Sequence, residues 1–342
     1  MEPVQTGVKM KKSWMKIKII MEGFLTSTGM SKHYCFSIVL ICITLLAACQ
    51  KKAVISETDT PEIKSLVFSI APYLFEDDTP DTRTALGGEN GTTFLWAQGD
   101  TVGIYPNTGA QVYFAMASGV GASSADFDGG GWAFKPSSLY YSYYPFIGSI
   151  YLNRNHIPVS YLGQKQVGSF TTHIGPYDFM YTAPSSAQDG NVNFLYLHLN
   201  CIIRPRLQGL PAGRYTKLAV TAPSAVFPTK GYYDLMAATP AIIPTEWSNQ
   251  LVIDLEDFTI QEGGEKLVYL MSAPVEVGGV ELTISVLNEQ RTEYQCKKTP
   301  SGNYPAGMIK GLTCNTFTAV PQSMGLIIDD WGDGGEIGGD AN

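Results

Sequence analysis

The stretch NVNFLYLHLNCIIRPR, Asn191 to Arg206, alternates apolar and polar residues over a long span and is the strongest β-strand signal in its half of the chain. Successive side chains of a strand point to opposite faces, so a period of two marks an extended segment with one face buried. Working outward, the same signal recurs at short spacing. Lys64 to Ala71 (KSLVFSIA), Phe94 to Trp96, Thr101 to Tyr105, Gln111 to Met116, Trp132 to Phe134 and Leu139 to Tyr144 read as strands on the amino side. Lys217 to Thr221, Leu251 to Leu255, Lys266 to Ser272, Glu281 to Leu287, Thr292 to Lys298, Ile309 to Phe317 and Ser323 to Asp330 read as strands on the carboxyl side. Turns such as Asp128-Gly129-Gly130-Gly131 separate them. No helical period of ten residues occurs past the leader.

Many short strands with regular turn punctuation predict an all-β protein of sandwich or barrel type. The 35 Gly, 20 Pro and 19 Tyr fit that class. A boundary near Gln208-Gly209-Leu210-Pro211 divides the chain into two β-sandwich domains in tandem, 63–208 and 209–331, each long enough for its own core. The Gly- and Asp-rich residues 332–342 read as a flexible tail.

The amino end carries a different message. Phe36 to Ala48 (FSIVLICITLLAA) is thirteen apolar residues without a charge. A membrane-crossing helix needs about 20, whereas a signal-peptide core needs no more than this. Leu46-Ala47-Ala48-Cys49 has the form of a bacterial lipobox, which predicts diacylglycerol on the Cys49 thiol. Each buried methylene of such a lipid contributes about 0.8 kcal/mol, so several chains anchor a protein to a membrane. Residues 1–48 are therefore read as leader, with Met30 a compact alternative start, and 49–62 as a tether to the fold.

The chain holds 23 basic and 31 acidic side chains. Setting aside six Lys and two acidic residues in the leader leaves 17 and 29, a formal charge of −12. Phosphate binding needs a basic face, so nucleic acid is excluded as a partner. Beyond Cys49 only Cys201, Cys296 and Cys314 remain; Cys296 and Cys314 fall on neighbouring strands and could bridge.

Signatures of catalysis are missing: there is no GxSxG, GxxxxGK[ST], HExxH or GxGxxG before a helix. His156, His173 and His198 have no second ligand at metal spacing, and His198 reads as a histidine hydrogen-bonded at a sheet surface or in a core. Asp254, Glu256 and Asp257, and likewise Asp329, Asp330 and Asp333, read as solvated strand ends rather than acid pairs or calcium loops. Tyr140, Tyr141, Tyr143 and Tyr144 read as core tyrosines, with alternation burying one of each pair. The expectation is a protein that is not an enzyme and takes no cofactor or metal.

The order of several short pieces resembles the fimbrillin family of Bacteroidetes, the pilins and fimbrillin-like surface lipoproteins. Those pieces are Arg83-Thr84; Phe94-Leu95-Trp96 with Gly99-Asp100; YYSYYPF at 140–146; Gln164-Lys165-Gln166; Tyr177-Asp178-Phe179-Met180; Phe194 to His198; YLMSAP at 269–274; and Tyr304-Pro305-Ala306-Gly307. An Ile-rich strand into Asp330-Trp331 and the Gly/Asp tail complete the series. The resemblance spans nearly the whole chain after Cys49. It implies transthyretin-like sandwiches and a lipid-anchored subunit on the cell outer membrane. It also implies cleavage after an arginine, here Arg83, and assembly with other pilin subunits by β-strand exchange in support of adhesion. The strand KSLVFSIA would then be removed, and Ser323 to Trp331, with Leu326, Ile327, Ile328 and Trp331, would be the donor. The alternative expectation is a stationary outer-membrane lipoprotein that binds glycan or a host or bacterial surface protein through its loops. The basic pair Lys51-Lys52 after Cys49 leaves the periplasmic face open as its location.

Overall fold

The computed structural model describes residues 65–76, 94–135, 138–148, 152–186 and 191–321. They carry, in chain order, β1 (Ser65–Ile70), β2 (Leu74–Glu76), β3 (Thr101–Pro106), β4 (Val112–Ser118), β5 (Ser124–Asp128), β6 (Leu139–Tyr144), β7 (Ile157–Ser160), β8 (Lys165–Val167), β9 (Met180–Thr182), β10 (Ser185–Ser186) and β11 (Asn191–His198). There follow β12 (Cys201–Gln208), β13 (Gly213–Thr221), β14 (Phe227–Tyr233), β15 (Ile243–Ser248), β16 (Gln250–Ile260), β17 (Glu265–Leu267), β18 (Leu270–Ser272), β19 (Leu282–Asn288), β20 (Glu293–Lys298), β21 (Met308–Cys314) and β22 (Thr318–Ala319). A short 3-10 turn, Thr172–Tyr177, is the only helical piece among the described residues. The protein is all-β. Every described residue belongs to one compact unit, 61–342.

The first lobe is a sheet in the order β10-β6-β3-β4-β5-β1-β11-β9, closed on itself where β9 also pairs with β6. Closure leaves no free edge along the ring, which removes the usual liability of an exposed strand. Its interior is aromatic: Phe68, Trp96, Phe114, Phe127, Phe134, Tyr140 and Phe194 are all buried there. Ring contacts tie β1 to β5, through Phe68 and Phe127 (4.7 Å), and the loop before β6 to that strand, through Phe134 and Tyr140 (4.7 Å, edge-on).

The second lobe packs two sheets. One is β17-β12-β21-β2, with β18 also on β12; the other is β22-β20-β19-β13-β16-β8. Ile203, Leu207, Leu218, Val220, Ile253 and Ile284 fill the space between them. The other face of the first sheet is not solvated either. Ile202, Met271 and Ile309 belong to the first lobe's core, so β12 is buried on both sides and the lobes share one sheet. A three-stranded sheet, β15-β14-β7, completes the fold.

The stretch 191–206 is thus two strands, not one. It pairs as β11 in the first lobe, breaks at Leu199-Asn200, and pairs as β12 in the second. Burial alternates along β11 and stops at the break, because β12 is covered on both faces and is buried from Cys201 to Leu207.

Two short expected strands are not strands. Phe94 to Trp96 exchanges backbone hydrogen bonds with the β4–β5 turn (Trp96 N–H to Ala122 O, 2.9 Å; Gly121 N–H to Trp96 O, 2.8 Å). Trp132 to Phe134 plugs the ring with its side chains and joins no ladder. Lys266 to Ser272 divides into β17 and β18 around Pro205, which has no N–H to offer the ladder. Gln166 of β8 and Gln164 just before it take over there. Gln166 Oε1 accepts from Tyr269 N–H (3.0 Å) and Gln164 Oε1 from Met271 N–H (2.7 Å). Their amide groups donate to Leu267 O (3.0 Å) and Met271 O (2.8 Å). Because the β8 backbone pairs with β16, this one strand bonds both sheets of the sandwich.

Candidate functional site

The first described segment, 65–76, runs alongside 191–208 through both lobes. β1 lies between β11, to which it is parallel from Ser65↔Asn191 to Ile70↔Tyr196, and β5, to which it is antiparallel at Phe68↔Ala125 and Ser69↔Ser124. Phe68 is fully buried, its ring 4.7 Å from Phe127, 5.1 Å from Phe194 and 6.3 Å from Phe114. Trp96 Nε1–H donates to Phe68 O (3.2 Å). Val67 and Ser69, on the opposite face, are half-buried, as alternation requires.

Between β1 and β2 the chain crosses a buried polar cluster. Asp178 Oδ1 accepts from Tyr73 O–H (2.7 Å) and Asn200 Nδ2–H (3.0 Å), and faces His198 Nδ1 at 2.9 Å. His198 Nε2 lies 2.7 Å from Ala71 O. A carbonyl only accepts, so Nε2 carries a proton; a second proton must lie between Nδ1 and the carboxylate, or two acceptors would face each other. The imidazole stacks on Tyr73 with ring centroids 3.7 Å apart. Burial first, and the adjacent Asp178 next, raise the Tyr73 hydroxyl well above its ordinary range and keep it a donor. The Gly175-Pro176 turn positions Asp178, whose N–H bonds Gly175 O at 3.2 Å. The cluster holds the backbone of Ala71 to Tyr73 at the point where it leaves one lobe for the other.

Beyond it, Leu74 N–H donates to Gly307 O (2.7 Å), and Gly307 N–H to Asn200 O (2.8 Å). Among the described residues β2 then pairs with β21 alone, parallel, at Leu74↔Met308, Phe75↔Ile309 and Glu76↔Lys310. Phe75 lies under the Arg204 guanidinium (4.3 Å), and Glu76 meets Lys310 Nζ at 2.9 Å. Leu74 is 67% exposed.

The described chain resumes at Phe94, edge-on to Tyr144 and His198. Next to it a cavity of about 420 Å³ is lined by Phe94, Leu95, Asp100, Tyr144, Thr172 and Pro176 among others. Asp100 Oδ1 accepts from Tyr144 O–H (2.9 Å) and Oδ2 from Ala97 N–H (2.7 Å). Burial holds the Asp100 carboxyl above its usual range in spite of those bonds.

Of the residues singled out from sequence, Cys49, Arg83, Leu326, Ile327, Ile328 and Trp331 lie outside the described residues, as do Asp329, Asp330 and Asp333. His198 is a core histidine with both nitrogens engaged. Asp254, Glu256 and Asp257 are solvated, each beside a cation of a neighbouring strand: Lys217, Lys165 and Arg214. Tyrosine alternation fails on β6, where Tyr140, Tyr143 and Tyr144 are all buried and only Tyr141 is partly open. Tyr143 is covered because its hydroxyl reaches Gln111 Oε1 (2.6 Å) while its ring stacks near Tyr105 (6.1 Å), so this end of β6 is packed on both faces. Sequence reasoning missed Tyr73, Asn200 and β2. Tyr73 and Asn200 lie in connections, where no period marks them. Among the described residues no group of three His, Cys, Asp or Glu is placed to hold a metal ion.

No family profile and no curated protein matches the chain. Solved structures do. The chain is similar to a candidate cell adhesion protein of Bacteroides ovatus, at 12% identity over 76% of this chain and 96% of that one, with a TM-score of 0.47. It is similar to a fimbrial protein of the same species at 13% identity, over 75% of this chain and 48% of that one, TM-score 0.37. The C-terminally truncated tip fimbrial protein Mfa3 of Porphyromonas gingivalis is similar at 10% identity, over 66% and 91%, TM-score 0.35.

Proposed function

We propose that this chain is a surface lipoprotein of the fimbrillin type that serves as a fimbrial or adhesive subunit and assembles by β-strand exchange. Its two lobes are read as the two transthyretin-like sandwiches of that design, and Cys49 as the lipid anchor in the outer membrane. One observation carries the reading: a single segment at the amino end supplies a strand to each lobe, and the arginine proposed for cleavage follows it. Hydrolysis after Arg83 would release 49–83 and with it both β1 and β2. Loss of β1 would uncouple β5 from β11 and expose Phe114, Phe127, Phe194 and Trp96, the surroundings of Phe68. An apolar strand from another subunit would regain the ladder bonds and fill the same pockets, the physics of β-augmentation. Residues two apart share a face, so Leu326 and Ile328 of a neighbouring subunit would take the places of Phe68 and Ile70.

The test is the amino terminus of protein taken from the outer membrane, read by mass spectrometry, together with gel analysis without boiling. A terminus at Thr84 and SDS-resistant ladders that vanish when 323–331 is deleted are expected. Only lipidated Cys49 and only monomer would overturn strand exchange. That result would leave the second reading, a stationary binder, for which the 420 Å³ cavity beside Asp100 and Tyr144 is the specific support. Glycan-array binding lost in Tyr144→Ala would then decide for it.

A further inference from the structure

We propose that Cys296 and Cys314 close into a disulfide that staples β20 to β21, joining the two sheets of the second lobe. Cys296 sits on β20 opposite Ile284, and Cys314 ends β21 opposite Leu207. The strands belong to different sheets, yet Cα atoms of the two approach within 8 Å. Both side chains are buried in the same core. Two cysteines on touching strands in one core need little backbone movement to bond.

The chemistry agrees with that placement. In the fold the neighbouring Cys314, with help from the Lys298 charge, outweighs burial and lowers the Cys296 thiol. Cys296, followed in the chain by Lys297 and Lys298, is the thiolate that attacks. Cys201 is the contrast: enclosed and bonded to Ala273 O (3.3 Å), it is pushed far up by burial and stays a thiol. A small disulfide, such as oxidised glutathione, serves as oxidant. The Cys296 thiolate attacks one of its sulfurs, the S–S bond breaks and one glutathione thiol leaves. Cys314, losing its proton, attacks the Cys296 sulfur of the mixed disulfide and expels the second glutathione thiol. Two protein thiols are oxidised and one disulfide is reduced to two thiols. Because both sulfurs are enclosed in the final fold, the bond forms as the sheets come together.

The loop so closed is short, eighteen positions. For a chain of this size it is expected to raise the thermal midpoint by roughly 4–6 °C. The proposal assumes an exported protein, and the test separates the two. Full-length chain from the cell envelope is trapped with N-ethylmaleimide, denatured and digested without reduction; a parallel sample is refolded in a glutathione redox buffer. Expected are peptides linked through Cys296 and Cys314, with maleimide on Cys201. Linked peptides in the refolded sample alone would support the pairing and count against export. Maleimide on both Cys296 and Cys314 after refolding, or a link to Cys201, would overturn it. As a second readout, dithiothreitol should lower the midpoint of the native chain and of Cys201→Ser, but not that of the Cys296→Ser/Cys314→Ser double variant. An equal response of all three would also overturn it.

Discussion

β1 and β2 are nine residues of one short segment, held in opposite ways. β1 is bonded on both sides and inserts Phe68 among three aromatic rings. β2 is bonded on one side among the described residues, leaves Leu74 largely exposed and contributes an ion pair with water access. The difference teaches that the segment's hold on the molecule is concentrated in the first lobe and in the cluster around Asp178. The second lobe contributes little to keeping it.

The comparison can be broken most directly at Phe68. Phe68→Ala removes a buried ring and leaves a cavity, and should cost about 3–5 kcal/mol in guanidinium unfolding; Leu74→Ala should stay within about 0.5 kcal/mol. Equal losses at the two positions would end the contrast. Asp178→Ala strips three partners of their shared acceptor and should cost a similar 3–5 kcal/mol or so. Tyr73→Phe removes one bond to the same carboxylate and should cost about 1.5–3 kcal/mol, read in the same assay.

Acid sharpens the contrast from the side of the second lobe. His173 Nε2–H donates to Tyr269 O (2.8 Å), next to β18, and burial lowers the ring below its usual range. With a folded value below the unfolded one, the unfolded chain takes up the proton first as pH falls. Stability from this group is therefore complete well above the ordinary histidine range and declines as pH drops through that range. Thermal midpoints measured from pH 7.5 to 5 should fall, and His173→Gln should flatten the slope without altering the cost of Phe68→Ala. The smallest effect is expected at Glu76→Gln, about 0–1 kcal/mol and less in high salt, because that carboxylate is half-exposed.

Much of this was legible in the chain itself. Strand signals located β1, β3, β4, β6, β11 to β13 and β16 to β21 at least in part, and in β11 and β16 the buried face shows directly in the spacing. The absence of a helical period agreed with the all-β outcome. The strand β1 was visible as KSLVFSIA, and the bland reading of His198 holds. What stayed hidden has more than one cause. β2, β7, β8, β9, β10 and β22 are too short to show a period, β5, β14 and β15 contain Asp, Pro or Gly that read as turn residues, and Tyr73 and Asn200 act from connections. Gln164 and Gln166 bond backbone from the side, a role with no pattern at all.

The sequence by itself determined the all-β class of fold, the acidic balance of the chain and the position of most of the longer strands. Those properties are local: they depend on spacing, composition and order along the chain. Only the tertiary structure decided that 191–208 serves two sheets, that 65–76 follows it through both lobes, and that Asp178, His198, Asn200 and Tyr73 meet where the segment crosses. It likewise gathered Cys296 and Cys314 into one core. Alternation tells which side chains are buried and is silent on what they are buried against, because a strand's pattern is the same whichever neighbour covers it.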